Sequence, residues 1–372
     1  MVTDPYNVSV NLLLRVALAA LAAASARSAP ISVATNRGAP TSIAAWTSAG
    51  PELSQVNAVS PDPNADATVY ATGSLFAASQ SAIYGSLDGA RSWNPLQEAP
   101  RGEFFAEVYA DPRGGRRIFA GSQASGAGTR FLRSTDAGAT WSALMTIPET
   151  CVPTFAPGPT ADAIVVACGV RAFASGDAGA TWSEPANPFT EAMKLTSAQA
   201  GAVIAYGASG FFRSTDGGAT WTAAGSAPAA CPGILGLRVD PSKASVLLAA
   251  TGVLGAGGFQ CGGVFRSVDG GGAWTPTGLS GVYATDVRFG PAGSGAAYAC
   301  ASYVAGILPP GGAWGSDDGG LTWENLRLPV PSALKIAVSK TGRHVYAATS
   351  SGVFVRNDRE TRTVHRSSPT VP

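Results

Sequence analysis

The sequence predicts an all-β fold, a seven-bladed β-propeller with its last blade closed by strands from both ends of the chain. Three observations predict it. The segment SxDxGxTW recurs six times, at intervals of roughly 40 to 50 residues, the spacing of a repeat architecture. Short β-type runs surround each copy, four to a unit, as in a propeller blade. A seventh unit near the C-terminus lacks the strand that follows each box, and a strand of that type stands alone near Trp46.

In chain order the boxes read SLDGARSW from Ser86, STDAGATW from Ser134, SGDAGATW from Ser175, STDGGATW from Ser214, SVDGGGAW from Ser267 and SDDGGLTW from Ser316. Their fixed members are Ser86, Asp88 and Trp93; Ser134, Asp136 and Trp141; Ser175, Asp177 and Trp182; Ser214, Asp216 and Trp221; Ser267, Asp269 and Trp274; and Ser316, Asp318 and Trp323. Ala90 and Ser92 depart from the pattern in the first box and Ala273 in the fifth. An aspartate can accept the amides that follow it and close a tight turn, with glycine supplying positive φ. Serine and threonine hydroxyls can tie the ends of that turn together. The tryptophan is expected to bury its ring on the strand beneath. Each carboxylate is thereby engaged, with no second acid, His or Cys beside it, so the boxes are read as structural fasteners and not as catalytic or metal sites.

The fifth unit shows the blade pattern most fully: GLRVDPSK, SVLLAATG, then GGVFRSVDGGGAW. Second strands elsewhere are TVYATG, RIFAGS, IVVACG, VIAYGA, AAYACA and VYAATS. The seventh unit runs from ALKIAVSKTG through SGVFVRND, where Arg356, Asp358 and Glu360 occupy the box positions. WTSAGPEL from Trp46 resembles the post-box strand WTAAGSAP from Trp221, so the N-terminal segment is expected to complete this blade. Closure of this kind removes exposed sheet edges.

SxDxGxTW resembles the Asp-box, or BNR repeat, of β-propellers that include sialidases, xyloglucan-directed glycosidases, sortilin-type receptors and a photosystem assembly factor. The resemblance covers residues from about 42 to 358. It implies the fold and leaves the activity open, because the motif occurs in enzymes and non-enzymes alike.

Composition agrees: 46 Gly, 26 Pro and 13% charged residues suit short strands joined by turns, and 45% hydrophobic residues exclude a polar disordered chain. A formal net charge of +1 provides no electrostatic case for nucleic acid or an acidic membrane surface. Residues 1–26 read as a signal peptide, with Arg15, the apolar VALAALAAA and an AxA-like site ending at Ala26. That apolar run is too short to span a bilayer, so no stable membrane insertion is expected. Residues 27–41 read as a linker, 42–358 as one propeller domain and 359–372 as a disordered polar tail.

Cys151, just before its blade's first strand, with Cys168, at the end of the second, and Cys231, before a first strand, with Cys261, in that blade's second loop VLGAGGFQCGG, lie on one face and are expected to form disulfides. Cys300 is left as a buried inert thiol. A secreted or periplasmic location follows.

The face with these cysteines gathers the loops between second and third strands and between blades. Candidate ligand contacts there are Phe76, Phe259, Tyr283, Tyr303, Arg130 and Arg171, with Leu308 and Pro309 beside them. Lys194, Lys335, Glu103, Glu149, Glu184 and Glu191 are read as solvated loop charges of the same face. Sialidase chemistry needs an arginine clamp, a Tyr–Glu pair and an acid. The resemblance to sialidases also implies an RIP-type motif, but here GRRIFAG at Arg116 and Arg117 has Phe119 in place of its proline. The xyloglucan-directed enzymes carry a catalytic aspartate after a VYA strand, where this chain has Ala71, Thr72, Gly73 and Ser74. A basic patch like that of an assembly factor is not visible, since the arginines are dispersed; Arg133, Arg213 and Arg266, each before a box, read as packing stems with wet heads. The reading is a monomeric, cofactor-free and metal-free binding or scaffolding propeller for a protein or glycan. The alternative is a glycoside hydrolase of the sialidase-like or xyloglucanase-like type.

Overall fold

The computed structural model describes residues 45–51, 55–75, 80–113, 115–124 and 126–358. The expected leader 1–26, linker 27–41, tail 359–372 and the candidate contact Phe76 lie outside the described residues. Seven antiparallel sheets follow one another around a ring. Blade 1 holds β2 (Gln55–Pro61), β3 (Val69–Leu75), β4 (Gln80–Ser86) and β5 (Asn94–Glu98). Blade 2 holds β6 (Glu103–Ala110), β7 (Ile118–Ala124), β8 (Gly128–Ser134) and β9 (Ser142–Ile147). Blade 3 holds β10 (Thr154–Pro157), β11 (Ile164–Cys168) and β12 (Arg171–Ser175). Blade 4 holds β13 (Lys194–Ser197), β14 (Val203–Tyr206), β15 (Gly210–Ser214) and β16 (Thr222–Ser226). Blade 5 holds β17 (Ile234–Val239), β18 (Leu247–Gly255), β19 (Gly258–Ser267) and β20 (Thr275–Ser280). Blade 6 holds β21 (Tyr283–Phe289), β22 (Ala297–Ser302), β23 (Gly312–Ser316) and β24 (Glu324–Asn325). Blade 7 holds β25 (Lys335–Val338), β26 (His344–Thr349) and β27 (Gly352–Asn357), with β1 (Thr47–Gly50) as its outer strand.

Thr47 pairs with Val355 and Ser48 with Phe354, so the N-terminal strand closes the seventh blade. Blade 3 departs from the four-strand pattern: its outer edge is a single bridge between Ala174 and Ser183. Pro185 and Pro188 follow at once, and a proline has no N–H to extend a ladder. In blade 5, VLGAGGFQCGG, which holds Cys261, is a paired hairpin and not an open loop. Val253 pairs with Cys261 and Gly255 with Gly258, lengthening the hairpin so that Cys261 sits in β19.

The apolar core lies between blades. Among the described residues seven clusters of buried side chains occur, and each joins residues of two adjacent blades, with one box-type tryptophan at its margin. Trp93 lies between blades 7 and 1, Trp141 between 1 and 2, and Trp182 between 2 and 3. Trp221, Trp274, Trp323 and Trp46 take the remaining four interfaces in order. The indole N–H of Trp93 reaches the Ala49 carbonyl (2.7 Å), that of Trp274 the Ser226 carbonyl (2.9 Å) and that of Trp46 the Leu326 carbonyl (2.9 Å). That of Trp323 reaches the Thr277 hydroxyl at 3.0 Å. In these four, the tryptophan bonds the preceding blade, where the sequence suggested the strand beneath its own.

Candidate binding surfaces of the ring

Each box turn has one geometry. In the fourth, Ser214 Oγ donates to Asp216 Oδ1 (2.8 Å) and accepts the Gly218 N–H (2.8 Å). Asp216 then accepts the Thr220 N–H (2.9 Å) and hydroxyl (2.5 Å). Two consecutive residues take positive φ: Gly217 at 73° and Gly218 at 92° here, but Ala137 at 63° and Ala178 at 60° at the first place in the second and third boxes. The threonine hydroxyl is the largest cause holding Asp136, Asp177 and Asp216 down at about 2, and Ser92 does the same for Asp88. Asp318 is also held at about 2, where burial works against its bonds to Thr322 and Ser316. Asp269 faces Ala273 and is lowered chiefly by that residue's backbone N–H.

Both disulfides are present, Cys151–Cys168 with Cα atoms 5.4 Å apart and Cys231–Cys261 with 5.7 Å. Cys300 is fully buried and its thiol is pushed up to about 12 by burial. Among the described residues no group of three His, Cys, Asp or Glu side chains is placed to hold a metal ion. No helix among them is long and apolar enough to cross a membrane.

On the face with the disulfides, Arg171 is clamped by Glu184 through two bonds (2.7 and 2.6 Å) and by Glu149 (2.7 Å), with its guanidinium 4.8 Å from the centre of the Phe173 ring. Arg130 pairs with Glu103 at 2.8 Å, and Glu191 accepts the Ser209 N–H and hydroxyl. Glu103, Glu149 and Glu184 are thus each bonded to an arginine, and Glu191 to Ser209. Phe259 is half-buried and Tyr303 is exposed. Tyr283 is a correction: it is buried, its ring filling the space where a side chain at Gly252 would lie, so it supports the rim from beneath. Leu308 is buried as well.

Arg117, the near match to a sialidase arginine, is consumed in a clasp between blades 2 and 3. It donates to Asp111 (2.9 Å), Asp162 (2.7 Å) and the Ala161 carbonyl (2.5 Å), while Arg113 donates to the carbonyls of Gly158, Thr160 and Ala163. Arg133 donates to the Ala178 carbonyl (2.7 Å) and Arg266 to that of Gly319 (3.2 Å), each in the next blade's box. Two of the three arginines expected to have wet heads are therefore inter-blade clamps. Asp358 accepts from Tyr298 (2.5 Å) and Arg356 (2.9 Å), locking blade 7 to blade 6.

The innermost strands β2, β6, β10, β13, β17, β21 and β25 line the axis. Lys335 of blade 7 approaches Glu107 of blade 2 to 3.9 Å with blade 1 between them, so the pair reaches across the axial space. Arg238 donates to Asp286 (2.9 Å) and to the Leu237 carbonyl (2.6 Å). Arg288 lies 3.4 Å from Asp286 and donates to the Ile336 carbonyl (3.2 Å). Lys194 donates to the Leu235 carbonyl at 3.0 Å. Gly236 leaves room for Asp286, whose Cα and Oδ1 would lie 3.1 Å from a Cβ there. Burial pushes Lys194 down, with Lys335 adding to the effect, and pushes Arg288 down, with Arg238 adding to it. Burial would raise Tyr206, yet Arg238, Lys194 and Lys335 draw it below the ordinary phenol value. Lys194 and Lys335 were read as solvated loop charges; the fold instead gathers them with residues from other blades. Nothing marked Arg238, Asp286, Arg288 or Glu107 in the sequence, because each is one polar residue in an ordinary strand.

No protein-family model matches this chain, and no curated protein matches it. Solved structures do resemble it. YCF48 from Cyanidioschyzon merolae superposes with a TM-score of 0.62 at 17% identity, covering 85% of this chain and 100% of that one. A structure of YCF48 bound to D1 peptide gives 0.60 at 15% identity, over 86% and 98%. The GH74 xyloglucanase from Xanthomonas campestris gives 0.50 at 17% identity, over 82% of this chain and 66% of the enzyme. At such identities the likeness shows the fold alone: the chain is a seven-bladed β-propeller.

Proposed function

We propose that this chain is a propeller of the Asp-box (BNR) type acting as a non-catalytic binding or scaffolding module for a protein or glycan, through the face that carries the disulfides. The observation that carries this reading is the state of the rim acids. Glu103, Glu149 and Glu184 are each bonded to an arginine, and Glu191 to Ser209. Hydrolysis needs one carboxyl kept protonated and a second free to act across the scissile bond. A peptide complex of a propeller with the same fold supports the binding reading. Contacts on the rim are assigned to Phe259, Tyr303, Arg130 and Arg171, since aromatic and arginine side chains dominate recognition surfaces. The paired cysteines support a secreted or periplasmic protein. In that reading, residues 1–26 are its leader, 27–41 a linker, 42–358 the propeller and 359–372 a polar tail, and the mature chain is a monomer without cofactor, metal or nucleic-acid partner.

The test is a screen of the purified chain against peptide and glycan arrays, followed by titration of the strongest ligand. Saturable binding weakened in Phe259→Ala/Tyr303→Ala, with unchanged melting temperature, is expected. Binding indifferent to that double substitution would overturn the rim assignment.

A further inference from the structure

The axial cluster holds more positive than negative charge. Lys194, Arg238, Arg288 and Lys335 supply four cationic heads against the two carboxylates of Asp286 and Glu107. Asp286 is shared between both arginines, and Glu107 makes its ion pair among the described residues with Lys335, at the long distance of 3.9 Å, while acting on Arg288 and Arg238 through space. The Lys194 ammonium has a neutral carbonyl as its bonded partner. Arg238 Nε is buried with no acceptor among the described residues, while the Arg288 and Lys335 side chains remain 36% and 27% exposed. Cations partly withdrawn from water and outnumbering their carboxylates are costly, and guanidinium forks fit oxyanions. The pairing across blades 2 and 7 places these groups in one space and not on separate surfaces.

We propose that the axis of the ring binds a small oxyanion, a carboxylate or phosphate group, between Lys194, Arg238, Arg288 and Lys335. The site is independent of whatever occupies the rim, although the inner strands open toward it. Arg238 and Arg288 are oriented by Asp286, and Lys194 and Lys335 supply the charge that Asp286 does not neutralise.

Calorimetric titration of the full chain with sodium phosphate, and separately sodium acetate, against sodium chloride at matched ionic strength tests this. Phosphate favoured over acetate identifies a tetrahedral ligand group, and the reverse a carboxylate. Saturable binding by wild type is expected, with a melting temperature that rises with the anion but not with chloride. Lys194→Met/Lys335→Met should weaken it by about tenfold or more while keeping the β circular-dichroism spectrum. Glu107→Gln, which removes an opposing carboxylate, should tighten it. Absence of saturable binding to either anion, or wild-type affinity in the double variant, would overturn the site. Should the double variant not fold, unchanged or weaker affinity in Glu107→Gln overturns it alone. No rim partner enters the experiment, so its failure leaves the proposed function standing.

Discussion

In each box turn the serine is the buried member, whereas the aspartate is exposed in five of the six and half-buried at Asp136. Ser214 is 1% exposed and its hydroxyl serves the buried Gly218 N–H, whereas water can reach the amides that Asp216 serves. Ser214→Ala should therefore cost about 1–3 kcal/mol through an unsatisfied buried donor, and Asp216→Ala about 1 kcal/mol or less. Urea unfolding of the two variants measures the order; the reverse order would contradict this account of the turn. The alanines at positive φ point the other way. A non-glycine residue in the left-handed region costs about 1–2 kcal/mol, and glycine returns roughly 0.5–1 kcal/mol of that as unfolded-state entropy. Ala137→Gly and Ala178→Gly should each stabilise by about 0.5–1 kcal/mol, read as a raised urea midpoint. The box aspartates also set an acid limit. For five of them, Asp269 apart, the folded pKa of about 2 lies below the ordinary carboxylate value of 3.8, so their stabilisation is fully present above about pH 4 and is lost as pH falls through about 2. A melting temperature that did not decline across that window would contradict the bonding described.

At the scale of elements, the repeated unit is an interface more than a blade. One tryptophan per cluster seals two neighbouring sheets, but their N–H groups differ: that of Trp323 bonds Thr277, while that of Trp182 is buried without an acceptor among the described residues. Replacing both by phenylalanine removes similar ring area, so Trp323→Phe should cost about 1 kcal/mol more than Trp182→Phe. Equal losses in thermal unfolding would refute the difference. Box spacing, strand alternation and both disulfides were legible in the sequence because each is local or repeats with the blade. Two kinds of feature were not. The direction of Trp93 toward Ala49, or of Arg133 toward Ala178, depends on how blades stack. The axial cluster takes single residues such as Glu107, Lys194 and Arg238 from separate blades, and only the closed ring brings them together. Tyr283 was misread for a related reason: glycine at 252 draws its ring inward.

For the whole molecule, ring closure rests on the four residues of β1 and on Trp46, which packs at the interface of blades 6 and 7. Removing the chain through Gly50 exposes the edge of β27 and empties the Trp46 site. This should cost about 3 kcal/mol or more and promote edge pairing between copies. Light scattering of the truncated chain should show self-association; a stable monomer would contradict closure as a source of stability. Under the proposed function this closed ring acts through a binding face and not as a hydrolase. It is tested most directly by incubating the purified chain with sialosides, xyloglucan fragments and other polysaccharides and measuring released sugar. The account predicts no release above a heat-killed control, and turnover on any substrate would contradict it and point to Glu103, Glu149, Glu184 or Glu191.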